Sequence, residues 1–179
     1  MKTLTLLRHA KSGWDDPVAR DFDRPLNPKG RKAACTVGKH LKSLDLAFDH
    51  IVASPAQRVV ETIAEVAHGY GAAIAPAWDK RLYLASAATL LDVARETPED
   101  AERLLMIGHN PGLEDFVLLL LAGGDPALVA AVEAKYPTAT VAELTFAVNH
   151  WADVAPAAGT LTRFIRPRDL DPTLGPGEE

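Results

Sequence analysis

The sequence predicts an α/β protein built on a mainly parallel sheet. Two observations carry that expectation. Short apolar runs ending in turn residues alternate with longer stretches of helical periodicity. Three of the helical stretches also open on a capping residue followed by proline, which is tolerated at the first helical position because an N–H there would have no intrahelical acceptor.

Thr3–Leu7 reads as a buried strand. Asn27-Pro28 then opens a helix with Ala34, Val37, Leu41 and Leu44 on one face and Lys32, Lys39 and Lys42 off it. Asp49–Ala53 is the second strand, and Ser54-Pro55 starts a helix that turns Val59, Ile63, Val66 and Ala67 inward. Leu104–Ile107 is the next strand. Asn110-Pro111 starts a helix through Leu113, Phe116, Val117 and Leu120 that is apolar on its other sides too, and so should be well buried. Ala139–Val148 and Gly159–Ile165 read as closing strands, expected to add an antiparallel edge. The span 1–166 is one domain, and 167–179, with its prolines and mixed charge, is expected to be a flexible C-terminal tail.

A chain of 179 residues with 47% apolar and 24% charged residues matches an ordinary globular domain, which excludes wholesale disorder. Its formal net charge of −5 gives no overall attraction to nucleic acid or anionic lipid, so neither is an expected partner. The lone Cys35 allows no intramolecular disulfide and reads as a small core residue in a reducing compartment. No apolar run approaches the roughly 20 residues that cross a bilayer, and no secretory signal precedes Arg8, so the expected location is the cytoplasm.

In open α/β sheets, sites form where strand carboxyl ends lead into helices. After the first strand come Arg8, His9, Ala10, Lys11 and Ser12. After the second come Ser54, Pro55, Ala56, Gln57 and Arg58, and after Leu104–Ile107 come Gly108, His109, Asn110 and Pro111. Three loops thus bring two histidines and two arginines to one sheet edge. Arg58 falls in the first turn of a helix, where a cation is unfavourable unless an anion sits nearby. Two guanidiniums can each grip two oxygens of a tetrahedral phosphate. A neutral imidazole against that phosphorus can attack in line, forming a phosphohistidine that water cleaves.

Leu7-Arg8-His9-Ala10 with Ser12, Ser54-Pro55-Ala56-Gln57-Arg58 with Glu61-Thr62, and Gly108-His109-Asn110-Pro111 together resemble the histidine phosphatase, or phosphoglycerate-mutase-like, superfamily. Asp23-Arg24-Pro25-Leu26 leading to Gly30 narrows the resemblance to the SixA-type phosphohistidine phosphatase branch. The resemblance implies a three-layer α/β/α sandwich with a mainly parallel central sheet. It also implies a metal-independent, cofactor-free enzyme in which His9 is the nucleophile, Arg8 and Arg58 bind phosphate, and His109 is the second pocket histidine. The implied partner is a phosphorylated protein carrying phosphohistidine, or else a small phosphorylated metabolite.

Three departures qualify the match. Ala10 replaces the usual glycine after the nucleophile. Asp15 stands where many mutase-type members have asparagine, and is expected to face away from phosphate. Around Arg81–Ser86, where ester-cleaving members carry a general acid, there is no carboxylate. An alkoxide leaving group needs a proton, and a positioned acid contributes about 10²–10⁴-fold. An imidazole can instead leave already protonated, so a site without an acid should favour phosphohistidine. Lys11 reads as a solvated lysine within reach of the phosphate rim, and Arg24 as either a pocket residue or a structural ion pair.

Within this enzyme class the alternative is a small-molecule phosphomonoesterase or a phosphoglycerate-mutase-like enzyme. The rival readings outside it are a metal hydrolase, with His9, His109 and Asp15 or Asp16 as ligands, and a phosphate-binding module without catalysis. Against the metal hydrolase, Arg8 would repel a cation, and no compact ligand spacing is present.

Overall fold

The structure is a computed structural model that describes residues 1–13, 17 and 20–176. Trp14, Asp15 and Asp16 lie outside the described residues, as do Val18, Ala19 and Gly177–Glu179.

The strands are β1 (Lys2–Arg8), β2 (His50–Ala53), β3 (Ala77–Trp78), β4 (Arg103–Gly108), β5 (Leu121–Gly124), β6 (Val141–Phe146) and β7 (Gly159–Ile165). They form one sheet in the order β3-β2-β4-β1-β6-β7-β5. The pairs β3-β2, β2-β4, β4-β1 and β7-β5 are parallel, and β6 runs antiparallel to both β1 and β7. The sheet is therefore mostly parallel, as expected. The antiparallel strand β6 lies inside it rather than at an edge, because β7 pairs on its outer side, and the unforeseen β5 extends the sheet beyond β7.

The helices are α1 (Pro28–Ser43), α2 (Gln57–Tyr70), α3 (Ala87–Arg95), α4 (Gly112–Leu120), α5 (Pro126–Ala134) and α6 (Pro167–Leu170). Strand alternation divides the core between the two faces. Leu4, Leu6, Leu104 and Met106 meet Leu90 of α3, Phe116 of α4 and Val132 of α5. Leu7, Leu105 and Ile107 meet Val37 of α1 and Val59 and Ile63 of α2. These two buried faces make the three-layer α/β/α sandwich.

Asn27-Pro28 behaves as read, with the Asn27 side chain accepting from the Gly30 N–H. The other two starts differ. Helix α2 begins beyond Pro55, with Ala56 at its cap and no capping side chain, because Ser54 turns into the site described below. The Asn110-Pro111 bond is cis, Pro111 occupies the cap of α4, and Asn110 accepts from Glu114 N at 3.2 Å. Within α4, Leu118 and Leu119 are exposed, so this helix is less buried than its sequence suggested.

The segment from residue 167, expected to be a tail, is structured as far as it is described. Pro167 and Pro172 stand at the starts of α6 and of a 3-10 turn, Pro172–Leu174. Leu174 is buried in the core with α1, and Asp171 pairs with Lys32 of α1. Cys35 is half-buried, and Trp151 is buried with its indole N–H donating to Ala101 O, whereas Trp78 is exposed. Among the described residues no helix is long and apolar enough to cross a membrane.

Candidate active site

The carboxyl ends of β1, β4 and β2 are neighbours, and their backbones continue to pair past the strands. His9 N donates to Gly108 O at 3.0 Å and Ser54 N to Ile107 O at 3.1 Å. This register places the residues after each strand side by side. The loop after His9 is fixed against α1, where a Cβ on Gly30 would lie only 2.1 Å from Lys11 O. Ala10 N donates to Thr62 Oγ1 of α2 at 2.9 Å, and Ala10 does not have positive φ, so glycine is not required there.

The rings of His9 and His109 lie 5.2 Å apart and tilted by 55°. His9 Nδ1 is 2.7 Å from Ala10 O. A carbonyl only accepts, so the proton sits on Nδ1 and the lone pair on Nε2. His109 has the opposite tautomer. Its Nδ1 faces Arg58 Nη2 at 3.2 Å and must accept, so Nε2 carries the proton and donates to Ser54 Oγ at 2.8 Å. Both nitrogens of His109 are thus engaged. For Nδ1 to donate to a phosphoryl oxygen, the phosphate would have to draw Arg58 away and the ring take up a proton.

Arg58 is buried and held by Asp21, with Nη1 donating to the Asp21 carbonyl at 2.9 Å and Nη2 to Oδ2 at 3.0 Å. Asp21 is the anion that a first-turn arginine needs. Its carboxylate also accepts from Tyr83 OH at 2.7 Å and lies 3.2 Å from Arg24 Nε. Burial opposes ionisation of Asp21, but Tyr83, Arg58 and Arg24 outweigh it and hold the carboxyl below its usual pKa. Arg24 is buried and also donates to Ser12 Oγ at 2.8 Å, so it is both beside the pocket and ion-paired. Arg8 donates from Nη1 to Tyr136 O at 2.8 Å, and Asn110 Nδ2 donates to the same carbonyl at 3.2 Å. The Nε atoms of Arg8 and Arg58 are buried with no hydrogen-bond partner among the described residues.

Burial is the main cause that drives the pKa of both histidines down to about 3. Nearby cations add to it, Arg8 and Arg58 in each case, and His109 also disfavours charge on His9. Burial likewise lowers the Arg8 pKa, an effect countered by Tyr136 and Glu114 and reinforced by Arg58. The site is therefore cationic through its guanidiniums, and its imidazoles are neutral at ordinary pH. Among the described residues no group of three or more His, Cys, Asp or Glu is placed to hold a metal ion.

The family model described as histidine phosphatase superfamily, branch 1, matches residues 4–83. A protein from Nakamurella multipartitia assigned as phosphohistidine phosphatase SixA superposes with a TM-score of 0.77 at 30% identity, over 93% of this chain and 96% of that one. This chain belongs to the histidine phosphatase superfamily, in its SixA-type branch. The corresponding protein assigned in Agrobacterium tumefaciens also superposes at 0.77, with 26% identity over 93% of this chain and 98% of that one. An uncharacterized Mycobacterium tuberculosis protein is 34% identical over 165 residues, spanning 90% of this chain and all of the relative.

Within this histidine phosphatase, Arg8, His9, Arg58 and His109 converge as the sequence placed them. Asp21, Tyr83 and the Tyr136 carbonyl also border the site and were not foreseen, and Ser54, expected at this edge, is the partner of His109. The single sequence signal for Asp21 was the run Asp21-Phe22-Asp23-Arg24, where a carboxylate lies close to the arginine of the branch motif.

The depressed histidine pKa values have a consequence for stability. Unfolded, each imidazole protonates near 6.5; folded, it does so near 3. Between those values the unfolded chain binds more protons, so stability is full above pH 6.5 and falls as pH drops, by about 1.4 kcal/mol per unit per histidine. Urea denaturation from pH 6.5 to 4.5 should give a shallower slope for His109→Asn than for the parent, and equal slopes would contradict the buried neutral imidazole.

Proposed function

We propose that the protein is a metal-independent phosphatase acting through a phosphohistidine intermediate on His9, with protein-borne phosphohistidine as its substrate. The observation that carries this is the Nδ1 contact of His9 with Ala10 O, which leaves Nε2 as a lone-pair nucleophile in a ring 5.2 Å from that of His109, in a site shared with the buried Arg58 and the half-buried Arg8.

In the first step Nε2 bonds to phosphorus while the bond from phosphorus to the substrate nitrogen breaks, and the leaving imidazole departs carrying its proton. Arg8 and Arg58 bind the phosphoryl oxygens and stabilise the transition-state charge. In the second step water attacks phosphorus, His9 is released, and inorganic phosphate leaves. Asp21, held ionised by its three partners, has no proton to give an alkoxide near neutral pH. That supports a preference for a P–N bond over an alkyl ester. A basic cavity that shares Arg8 with this site also suits small phosphorylated metabolites, which keeps a small-molecule phosphomonoesterase as the second reading.

The test is a substrate panel in excess EDTA. Phosphohistidine peptides should be cleaved at least about tenfold faster than phosphoserine peptides, sugar phosphates or phosphoglycerates. Equal rates on alkyl phosphates, or loss of all activity in EDTA, would overturn the reading.

A further inference from the structure

A cavity of about 270 Å³ opens beside the active site and shares Arg8 with it. Its cations are Arg8, Lys11, Lys29, Lys135, Arg166 and Arg168, and none of the described residues lining it is acidic. They come from four places in the chain: the end of β1 with the loop after it, the first turn of α1, the segment between α5 and β6, and the C-terminal segment through α6. In a protein of net charge −5, this concentration of one sign is a local feature.

Among the described residues, some of this charge is compensated. Arg166 pairs with Asp169 at 2.8 Å, and Asp169 also feels Arg168. Glu114 acts on Arg8. Lys29 donates to the Gly175 carbonyl, a dipole rather than a charge. Burial, with Lys29 and Lys135 close by, lowers the Lys11 pKa. Like charges crowded against a partly enclosed wall repel one another, and an anion placed among them relieves that repulsion.

We infer that this cavity is a second anion subsite, which holds a phosphate-sized anionic group of the same substrate whose scissile phosphoryl group lies on Arg8 and Arg58. The inference rests on the phosphatase reading of the site, since Arg8 joins the two. The concave shape suits a compact, multiply charged group better than an extended chain. That group has two possible sources: a second phosphate on a small metabolite, or acidic side chains flanking a phosphohistidine. The C-terminal segment thereby becomes part of substrate recognition, since it supplies Arg166 and Arg168.

The test is calorimetric binding, so that it reads the subsite whether or not turnover is seen. In one arm, alkanediol bisphosphates with two to six carbons are compared with the matching monophosphates. In the other, peptides carrying a non-hydrolysable phosphonate analogue of phosphohistidine are compared with glutamate or alanine flanks. In the parent protein the doubly anionic partner should bind at least tenfold more tightly in one arm, and that arm identifies the source. The Lys135→Glu/Arg168→Glu variant should bring the ratio within that arm to near one. Lys39→Glu/Arg103→Glu, which removes as much positive charge away from the cavity, should leave the ratio in place. A ratio near one in both arms, an advantage that survives Lys135→Glu/Arg168→Glu, or an equal loss in Lys39→Glu/Arg103→Glu would each overturn the subsite. Absence of turnover on every member of the substrate panel would instead count against the phosphatase reading.

Discussion

His9→Ala should lower turnover by at least about 10⁴-fold and abolish the covalent intermediate, because on the proposed mechanism it removes the atom that bonds to phosphorus rather than one that assists it. The assignment depends on geometry more than on residue type. Ala10 O accepts a hydrogen bond from Nδ1–H at 2.7 Å, which keeps the proton on Nδ1 and the nucleophilic lone pair on Nε2. With its pKa near 3, His9 is already unprotonated across the working range. The acid limb of kcat/KM, which reports the free enzyme, should therefore not show an imidazole titrating near 6.5. Acid-quenched reactions with labelled substrate should trap acid-labile phosphate on the parent protein and none on His9→Ala. An active His9→Ala variant, or a parent that never holds label while turning over substrate, would remove His9 from the nucleophile's role.

The residues that were legible in the sequence share a property. Arg8, His9, Arg58 and His109 each follow a run apolar enough to mark a strand, and the rule that sites gather at strand carboxyl ends then places them together. β3 and β5 escaped notice because Ala77–Trp78 is too short for alternation to register and Leu121–Gly124 ends in glycines. Asp21 lies in a 3-10 turn with no periodicity, and it meets Arg58 and Tyr83 from 37 and 62 positions away, a pairing that only the tertiary fold creates. Ser54 looked like a helix cap by type, but its hydroxyl goes to His109. The C-terminal prolines read as breakers. Pro167 and Pro172 instead begin helical turns, a role the same reasoning had allowed at Pro28.

Arg58→Ala should reduce kcat/KM by about 10³-fold, with losses in both KM and kcat, since on the proposed mechanism one guanidinium serves the bound phosphate and the transition state alike. Asp21 sharpens this expectation. Its carboxylate occupies Arg58 Nη2 at 3.0 Å, so a phosphate must displace or share that contact. A phosphoryl dianion can do so because it brings more charge and more acceptor oxygens than one carboxylate. Arg58→Lys should recover only part of the loss, since an ammonium lacks the planar fork. The variant also tests what Arg58 does to His109. Its Nη2 donates to Nδ1 at 3.2 Å, and its charge is the leading cause, after burial, of the depressed His109 pKa. Without it, that pKa should rise toward the ordinary imidazole range, and NMR titration of His109 in Arg58→Ala should show the shift directly. Activity within tenfold of the parent, or an unmoved His109 titration, would mean that Arg58 is only the structural partner of Asp21.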